Sequence, residues 1–132
     1  MESEQKFYYC EACKNLVIML YDSGIPLNCC GVDMEELVPS SSDGAVEKHV
    51  PVYEQNGNTV RVKVASVEHP MTAEHYIEWV AIKTDRGISV KHLNPSDKPE
   101  ACFVLCDGER VMAVYEYCNL HGLWHLLCAD EK

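Results

Sequence analysis

Hydrophobic and polar residues alternate along much of the chain after residue 46, and this period of two predicts β-strands. In TVRVKVASV, for example, Val60, Val62 and Val64 alternate with other residues, two of them charged. This segment is joined to HVPVYE by QNGN, and an Asn-Gly pair between alternating runs is a strong signal for a β-hairpin. The two segments are therefore predicted to pair as antiparallel neighbours.

Four later segments are also typical of strands: HYIEWVAIKT, ISVKHL, ACFVLC and RVMAVYEYC. The last two flank Asp107 and Gly108, which predicts a second hairpin. About seven short strands with turn signals between them, and no sustained helical period, favour an all-β sandwich. We therefore expect a mainly β protein.

The composition changes at VPSSSDGA, where serines, a proline and an Asp-Gly pair indicate a linker. This divides the chain into a cysteine-centred segment over residues 1–38, a linker over 39–45 and the β-sandwich over 46–132. A segment of about forty residues is too small to bury a self-sufficient core. The first segment is therefore expected to need a bound metal or a partner subunit.

The net charge of −10 disfavours nucleic acid and anionic membrane surfaces as partners. The longest apolar run, LVIML, is too short to span a membrane. The N-terminal segment MESEQKF has no features of a secretory signal, so a cytoplasmic location is expected. In that compartment the eight cysteines favour metal binding over disulfides.

Four of the cysteines occur as two close pairs, with Cys10 and Cys13 in YYCEACKNLV and Cys29 and Cys30 in LNCCGVDM. Two such pairs can supply four thiolates to one tetrahedral ion, either zinc or iron. The adjacent cysteines must diverge to bind one ion, and Gly31 fits the tight turn that this requires. Disulfides or unligated thiols are the alternative interpretation.

A fifth cysteine belongs to a different pattern, because EYCNLHGLWH places Cys118 three residues before His121 at the end of a predicted strand. Three further histidines, His49, His69 and His75, also lie near predicted strand ends. Neutral imidazoles and one thiolate suit iron better than calcium or magnesium. Five such ligands would leave one octahedral position open, but the spacing alone does not establish that the five converge.

Taken together, the motifs EKHVPV, HPM…HYIEW, CNLHGLW and CxxC…CC resemble those of the desulfoferrodoxin family, the two-iron class of superoxide reductase. The resemblance extends from Cys10 to Trp124. It implies a small desulforedoxin- or rubredoxin-like metal domain followed by an immunoglobulin-like antiparallel β-sandwich. It also implies two iron ions per chain.

The resemblance further implies a role for each matching residue. One iron would be bound by four thiolates, those of Cys10, Cys13, Cys29 and Cys30. The other would have His49, His69, His75 and His121 in its equatorial plane, with Cys118 as the axial thiolate. Glu47 and Lys48 match the family's mobile pair, in which the glutamate can occupy the open position and the lysine attracts superoxide and aids proton delivery.

The implied activity is the one-electron reduction of superoxide to hydrogen peroxide. The implied partners are rubredoxin or a similar electron donor, and a second copy of the chain in a homodimer. Three alternatives remain open from the residues: superoxide dismutation at the same iron, an electron carrier that works through the first iron, and a zinc-stabilised binding module.

Two positions depart from the family pattern. Lys14 stands where glycine commonly follows the C-x-x-C pair, which predicts backbone strain in the first metal loop. His125 stands where lysine often follows Trp124, which predicts a weaker positive field near the second iron. Neither position is a ligand, so we expect function to be retained.

Overall fold

The computed structural model describes residues 4–40, 49–64 and 69–128 of the 132-residue chain. The chain divides into two compact units, Met1–Val38 and Pro39–Lys132. Throughout the described ranges, the regular secondary structure consists of β-strands. The same ranges contain no helix of the length and hydrophobicity that a bilayer-spanning segment requires. The predicted mainly β class is confirmed.

The first unit contains five short strands. They are β1 (Lys6–Tyr9), β2 (Leu16–Met19), β3 (Asn28–Cys29), β4 (Val32–Asp33) and β5 (Glu35–Glu36). Strand β1 pairs with β2 and β5 in a three-stranded antiparallel sheet, and β3 and β4 form a separate hairpin. Phe7 and Cys10 are the buried hydrophobic residues among the described positions of this unit. Such a small apolar interior agrees with the expectation that a metal is needed.

The second unit contains seven strands. They are β6 (Pro51–Asn56), β7 (Thr59–Val64), β8 (Ile77–Thr84), β9 (Gly87–His92), β10 (Glu100–Val104), β11 (Val111–Cys118) and β12 (Gly122–Leu127). One sheet has the order β10-β7-β6 and the other has the order β12-β11-β8-β9, with every pair antiparallel.

The core of the second unit is built from both sheets. Val60, Val62 and Val64 are buried, while the residues between them on β7 are exposed, as the alternating pattern predicts. They join a hydrophobic cluster that includes Ile82 of β8 and Val114 of β11. Strands from the two sheets therefore share one apolar interior, and the predicted β-sandwich is confirmed.

The hairpin predicted at Asn56-Gly57 is also confirmed. Strands β6 and β7 pair antiparallel up to Asn56 and Thr59, which leaves a two-residue turn. Gly57 has a φ of 63°, a left-handed conformation that such a turn requires and that glycine adopts without steric cost.

The hairpin predicted at Asp107-Gly108 is wrong. Strand β10 pairs with β7, whereas β11 pairs with β8 and β12, so the turn carries the chain from one sheet to the other. Leu105 and Val111, on either side of the turn, are both buried in the shared core. The N–H of Leu105 donates to the carbonyl of Asn58 at 2.7 Å. A turn between two alternating segments has the same local sequence pattern in a hairpin and in a connection between sheets.

The strain predicted at Lys14 is present. Its φ of 71° lies in the left-handed region, and its N–H donates to the carbonyl of Cys10 at 2.7 Å to close the turn. A residue with a side chain adopts this conformation at a cost of about 1–2 kcal/mol. The backbone is therefore strained at the residue that directly follows Cys13 of the predicted metal site.

We expect Lys14→Gly to stabilise the metal-loaded first unit, because relief of the strain exceeds the extra flexibility that glycine gives the unfolded chain. The net gain in unfolding free energy is about 0.5–1 kcal/mol. Denaturant titration of the full-length chain, followed by the absorption of the four-thiolate site, measures it. Lys14→Ala is the matched control, since it removes the charge and keeps the strain. An equal gain in both variants would attribute the effect to charge.

Candidate metal centres

Histidines and cysteines form two groups with the spacing of metal ligands among the described residues. One group contains Cys10, Cys13, Cys29 and Cys30, and the other contains His49, His75, Cys118 and His121. In each group the candidate ligand atoms all lie within 4.8 Å of one another. The two groups belong to different units of the chain.

The first group is assembled by two tight turns. Cys10 follows β1 directly, and its N–H donates to the carbonyl of Asn15 at 2.9 Å. The second turn joins β3 to β4, with Cys29 paired to Val32. Within it, Cys30 and Gly31 both have left-handed backbones, with φ of 57° and 79°. This is the tight turn predicted at Gly31, and it lets adjacent cysteines join one group.

Three thiols of this group have shifted pKa values, those of Cys10, Cys29 and Cys30. The pKa of Cys10 is lowered to about 7, chiefly because the backbone N–H of Cys13 donates to its sulfur. The pKa of Cys29 is raised to about 12 by its contact with the Cys13 sulfur 3.4 Å away, and that of Cys30 is also raised by Cys13. Four thiolates cannot share this small volume without a cation, because each disfavours ionisation of the next.

The second group is assembled at strand ends. His49 precedes β6, His75 precedes β8, and Cys118 is the last residue of β11. His121 lies in the turn between β11 and β12. Antiparallel pairing brings the first residue of one strand beside the last residue of its neighbour, so Cys118 pairs with Ile77 and Gly122. The sandwich therefore gathers side chains that are up to 72 residues apart in sequence.

Four imidazole rings form a closed circuit in the order His49, His69, His75, His121. Successive ring centroids are 4.7, 4.8, 5.2 and 4.8 Å apart, the last distance returning from His121 to His49, and each pair is nearly perpendicular. The Nε2 of His49 lies 3.0 Å from the Nε2 of His69 and 3.2 Å from the Nδ1 of His121. The candidate ligand nitrogens of His49, His75 and His121 also lie within 4.8 Å of one another, so the rings surround a common point, and we call this four-membered arrangement the square.

The sulfur of Cys118 completes this second group. It lies 3.7 Å from the Nε2 of His69 and 3.8 Å from the Nδ1 of His121, which are diagonal members of the square. These two nearly equal distances exceed the 3.0 and 3.2 Å that separate the nitrogen of His49 from those of His69 and His121, which fits a sulfur on one side of the square. Cys118 is fully buried in the hydrophobic cluster, so its sulfur meets the square from the protein interior.

Neighbouring groups orient the rings. The Nδ1 of His69 lies 2.7 Å from the carbonyl of Pro70, which can only accept a hydrogen bond, so Nδ1 carries the proton and the lone pair of Nε2 points into the square. The indole of Trp124 stacks on the His49 ring at 4.7 Å with 14° between the planes. Its Nε1 also donates to the carbonyl of His121 at 3.2 Å.

The structure brings together all nine predicted ligands, four in the first group and five in the second. The predicted pair Glu47 and Lys48 lies outside the described residues. His125 is buried, and the centroid of its ring lies 6.0 Å from that of Tyr115. It does not belong to either ligand group. The sequence analysis did not predict that the carbonyl of Pro70 orients the ring of His69. The one available signal was that Pro70 directly follows His69 in the sequence.

Known proteins share these features. The sequence model of the family described as desulfoferrodoxin matches residues 41–126. The desulfoferrodoxin of Syntrophotalea carbinolica is 45% identical over 124 residues, which cover 94% of this chain and 97% of that protein. This chain belongs to the desulfoferrodoxin family. The family membership predicted from the sequence motifs is therefore confirmed.

Solved structures agree with this family membership. The superoxide reductase of Treponema pallidum matches with a TM-score of 0.81 and 38% identity, covering 93% of this chain and 98% of its own. The superoxide reductase (1Fe-SOR) of Giardia intestinalis matches with a TM-score of 0.55 and 33% identity, covering 64% of this chain and 99% of its own. Nearly the whole chain therefore has a counterpart in the first protein, and about two thirds of it in the second.

Both donor sets fit iron. Four thiolates form tetrahedral sites for iron or zinc, while imidazoles with one thiolate suit a transition metal and not calcium or magnesium. The protonated Nδ1 of His69 leaves Nε2 available as a donor, which is the form that a metal requires. The predicted content of two iron ions per chain is confirmed by the presence of both donor sets in a member of the desulfoferrodoxin family.

Metal loading of the first group is expected to release protons and to strengthen as pH rises. The raised pKa values of Cys29 and Cys30 keep these thiols protonated near pH 7, so a bound ion must displace at least two protons. An indicator dye measures the protons released per ion bound.

Cys30→Ser is the matched control for proton release, because a serine hydroxyl keeps its proton and the yield should fall by one per ion. A yield that is independent of Cys30 would contradict the assignment of this thiol to the site.

Proposed function

We propose that this protein is a superoxide reductase, which combines superoxide with one electron and two protons to give hydrogen peroxide. The square of four imidazoles with the Cys118 sulfur on one side carries the proposal. Five donors of this kind leave one octahedral position for an incoming ligand. The superoxide reductase of Treponema pallidum, which has a similar structure, supports it.

We assign the ligands residue by residue. The first iron is bound by Cys10, Cys13, Cys29 and Cys30. The second iron is bound by His49, His69, His75, His121 and Cys118. The short nitrogen and sulfur separations within each group support these assignments.

Iron held by these five residues would supply the one-electron chemistry that the reduction of superoxide needs. The chain's own residues prepare this site for an anion. The imidazoles contribute no negative charge, so the Cys118 thiolate is the one anionic ligand in the set. That thiolate donates electron density to the metal, the same role that cysteine has in haem-thiolate proteins. Because Cys118 is fully buried, solvent does not compete for its sulfur.

Substrate attraction must be local, because a net charge of −10 repels superoxide at long range. We assign this role to Lys48, which directly precedes the ligand His49 in the sequence and also aids proton delivery. We assign to Glu47, which directly precedes Lys48, the role of a further carboxylate ligand that would bind the metal when no substrate is bound. A cation close to the site focuses the field over a few ångströms, within the screening length of about 8 Å at physiological salt.

The remaining partners are also proposals. The electron comes from rubredoxin or a similar carrier, and two copies of the chain form a homodimer. The small interior of the first unit supports a subunit contact there, because Phe7 and Cys10 are the buried hydrophobic residues among its described positions. The cytoplasmic location expected from the sequence stays a prediction, as does the absence of nucleic-acid and membrane partners.

Product stoichiometry tests the activity. With a reduced donor present, we expect one hydrogen peroxide per superoxide consumed and no dioxygen. Dismutation would instead give one peroxide and one dioxygen for every two superoxide ions, without a donor. Dioxygen evolution at the dismutation ratio would replace the reductase assignment with a dismutase.

The role of Lys48 has its own test. Lys48→Gln should lower the second-order rate with superoxide by roughly tenfold at low ionic strength, and the loss should shrink as salt increases. Arg86→Gln is the matched control, since it changes the net charge equally in the turn after β8, a strand that spans roughly 23 Å from its first residue to its last. Equal losses in both variants would mean that net charge, and not Lys48, attracts the substrate.

The assignment of Cys118 as a ligand of the second iron predicts a change in colour. Oxidised wild-type protein should have a sulfur-to-iron absorption band from the second site, and Cys118→Ala should lack it while keeping the bands of the four-thiolate site. Iron analysis should give two ions per wild-type chain. A spectrum that does not respond to Cys118 would leave an electron carrier that uses the first iron, and a colourless protein after iron reconstitution would leave a zinc-stabilised module.

A further inference from the structure

Asn119 connects two of the segments that carry the second group of ligands. It directly follows Cys118, and three hydrogen bonds join it to residues 74–76. Its backbone N–H donates to the carbonyl of Tyr76 at 3.2 Å, and its side-chain oxygen accepts from the N–H of Tyr76 at 2.9 Å. Its side-chain Nδ2 donates to the carbonyl of Glu74 at 2.9 Å.

The strand register explains why a side chain makes these bonds. Pairing between β8 and β11 is regular from Ala113 to Tyr117, which is opposite Trp79, and then shifts so that Cys118 is opposite Ile77. In the shifted register the next pair would be Asn119 and Tyr76. In a regular ladder the carbonyl of Asn119 would accept the N–H of Tyr76. Here the side-chain oxygen accepts it, so the backbone leaves the ladder directly after Cys118 and turns towards His121.

The result is that His75 is fixed on both sides by one amide group. The residue before it, Glu74, accepts from Asn119, and the residue after it, Tyr76, donates to Asn119. The loop that precedes β8 also has hydrogen bonds of its own, because Thr72 and His75 exchange backbone hydrogen bonds at 3.0 and 3.2 Å. Those bonds shape the loop itself, whereas the bonds of Asn119 tie it to the strand that ends in Cys118.

We infer that Asn119 is a positioning residue that fixes His75 relative to Cys118 and so holds the histidine square over the sulfur. The inference rests on the proposed function, in which both residues bind the second iron. Among side chains of this size, an amide is the one that accepts and donates at the two required positions. Aspartate keeps the acceptor for Tyr76 but loses the donor to Glu74.

The test uses the full-length, iron-loaded protein with Asn119→Ala and Asn119→Asp. Two quantities are measured without superoxide: the rate at which a chelator removes iron from the second site, and the energy and width of the sulfur-to-iron band. Loss of groups that orient metal ligands weakens binding by roughly 10–100-fold, so we expect iron release from Asn119→Ala to accelerate by about that factor. The band should shift or broaden. Asn119→Asp should release iron at an intermediate rate.

Asn58→Ala is the matched control. The Nδ2 of Asn58 donates to the Asp107 carboxylate at 2.6 Å, next to the turn that precedes β11, at the end of that strand opposite Cys118. This variant also loses an asparagine hydrogen bond between loops, so it reports the effect of general destabilisation. We expect it to change neither the iron release rate nor the band, even where its thermal midpoint falls. The four-thiolate bands should be unchanged in all variants.

The outcomes separate the inference from the proposed function. The inference would be overturned if Asn119→Ala released iron at the same rate as Asn58→Ala and had a sulfur-to-iron band of the same energy and width. This holds even if the wild-type protein reduces superoxide. Where Asn119→Ala does not fold, Asn119→Asp decides, and release at the wild-type rate would overturn it. Faster release and a shifted band in a protein that does not reduce superoxide would support the inference and overturn the proposed function. A wild-type chain that binds no iron at the second site would overturn both.

Discussion

Five nitrogen and sulfur donors meet at one end of the β-sandwich, with the measured separations between neighbours lying between 3.0 and 3.8 Å. Lone pairs held this close repel one another unless protons or a cation lie between them. The carbonyl of Pro70 accepts a hydrogen bond from the Nδ1 of His69 and so keeps the proton of that ring on Nδ1. The lone pair of Nε2 then faces the other donors, and a bound cation would remove the repulsion between them. The five donors are held close together, despite this repulsion, by the surrounding strands, the turn after Cys118 and the stacked Trp124.

The two metal groups are held by different means. The four thiols of the first unit lie in short turns, with Phe7 and Cys10 as the buried hydrophobic residues described there. A bound ion must therefore contribute much of that unit's stability. The second group lies above a core formed by valines, isoleucines and leucines from both sheets. A rigid core of this kind can position ligands before metal arrives, which suits a site that, as proposed, would bind both a metal and a substrate.

Much of the fold followed from local patterns. The alternating valines of β7 and the Asn56-Gly57 turn predicted a hairpin that the structure contains, because a period of two and a left-handed glycine are local requirements. The turn at Asp107-Gly108 has the same signature and yet connects two sheets. That difference depends on which strands have free edges and on whether Leu105 and Val111 turn into a common core. Both are properties of the assembled molecule that no short segment encodes.

The sequence by itself determined the ligand types, their order and the family to which they belong. Cysteine pairs and the motifs around His49, His69, His75 and Cys118 are local, and their chemistry is carried by the residues themselves. The family resemblance already implied four histidines around one metal with the cysteine to one side, and only the tertiary structure gave the distances that bring these five residues together. It also decided that one amide, on Asn119, fixes His75 from both sides. Whether the five ligands of the second group come together depends on the order and register of the antiparallel strands, because these determine which strand ends become neighbours.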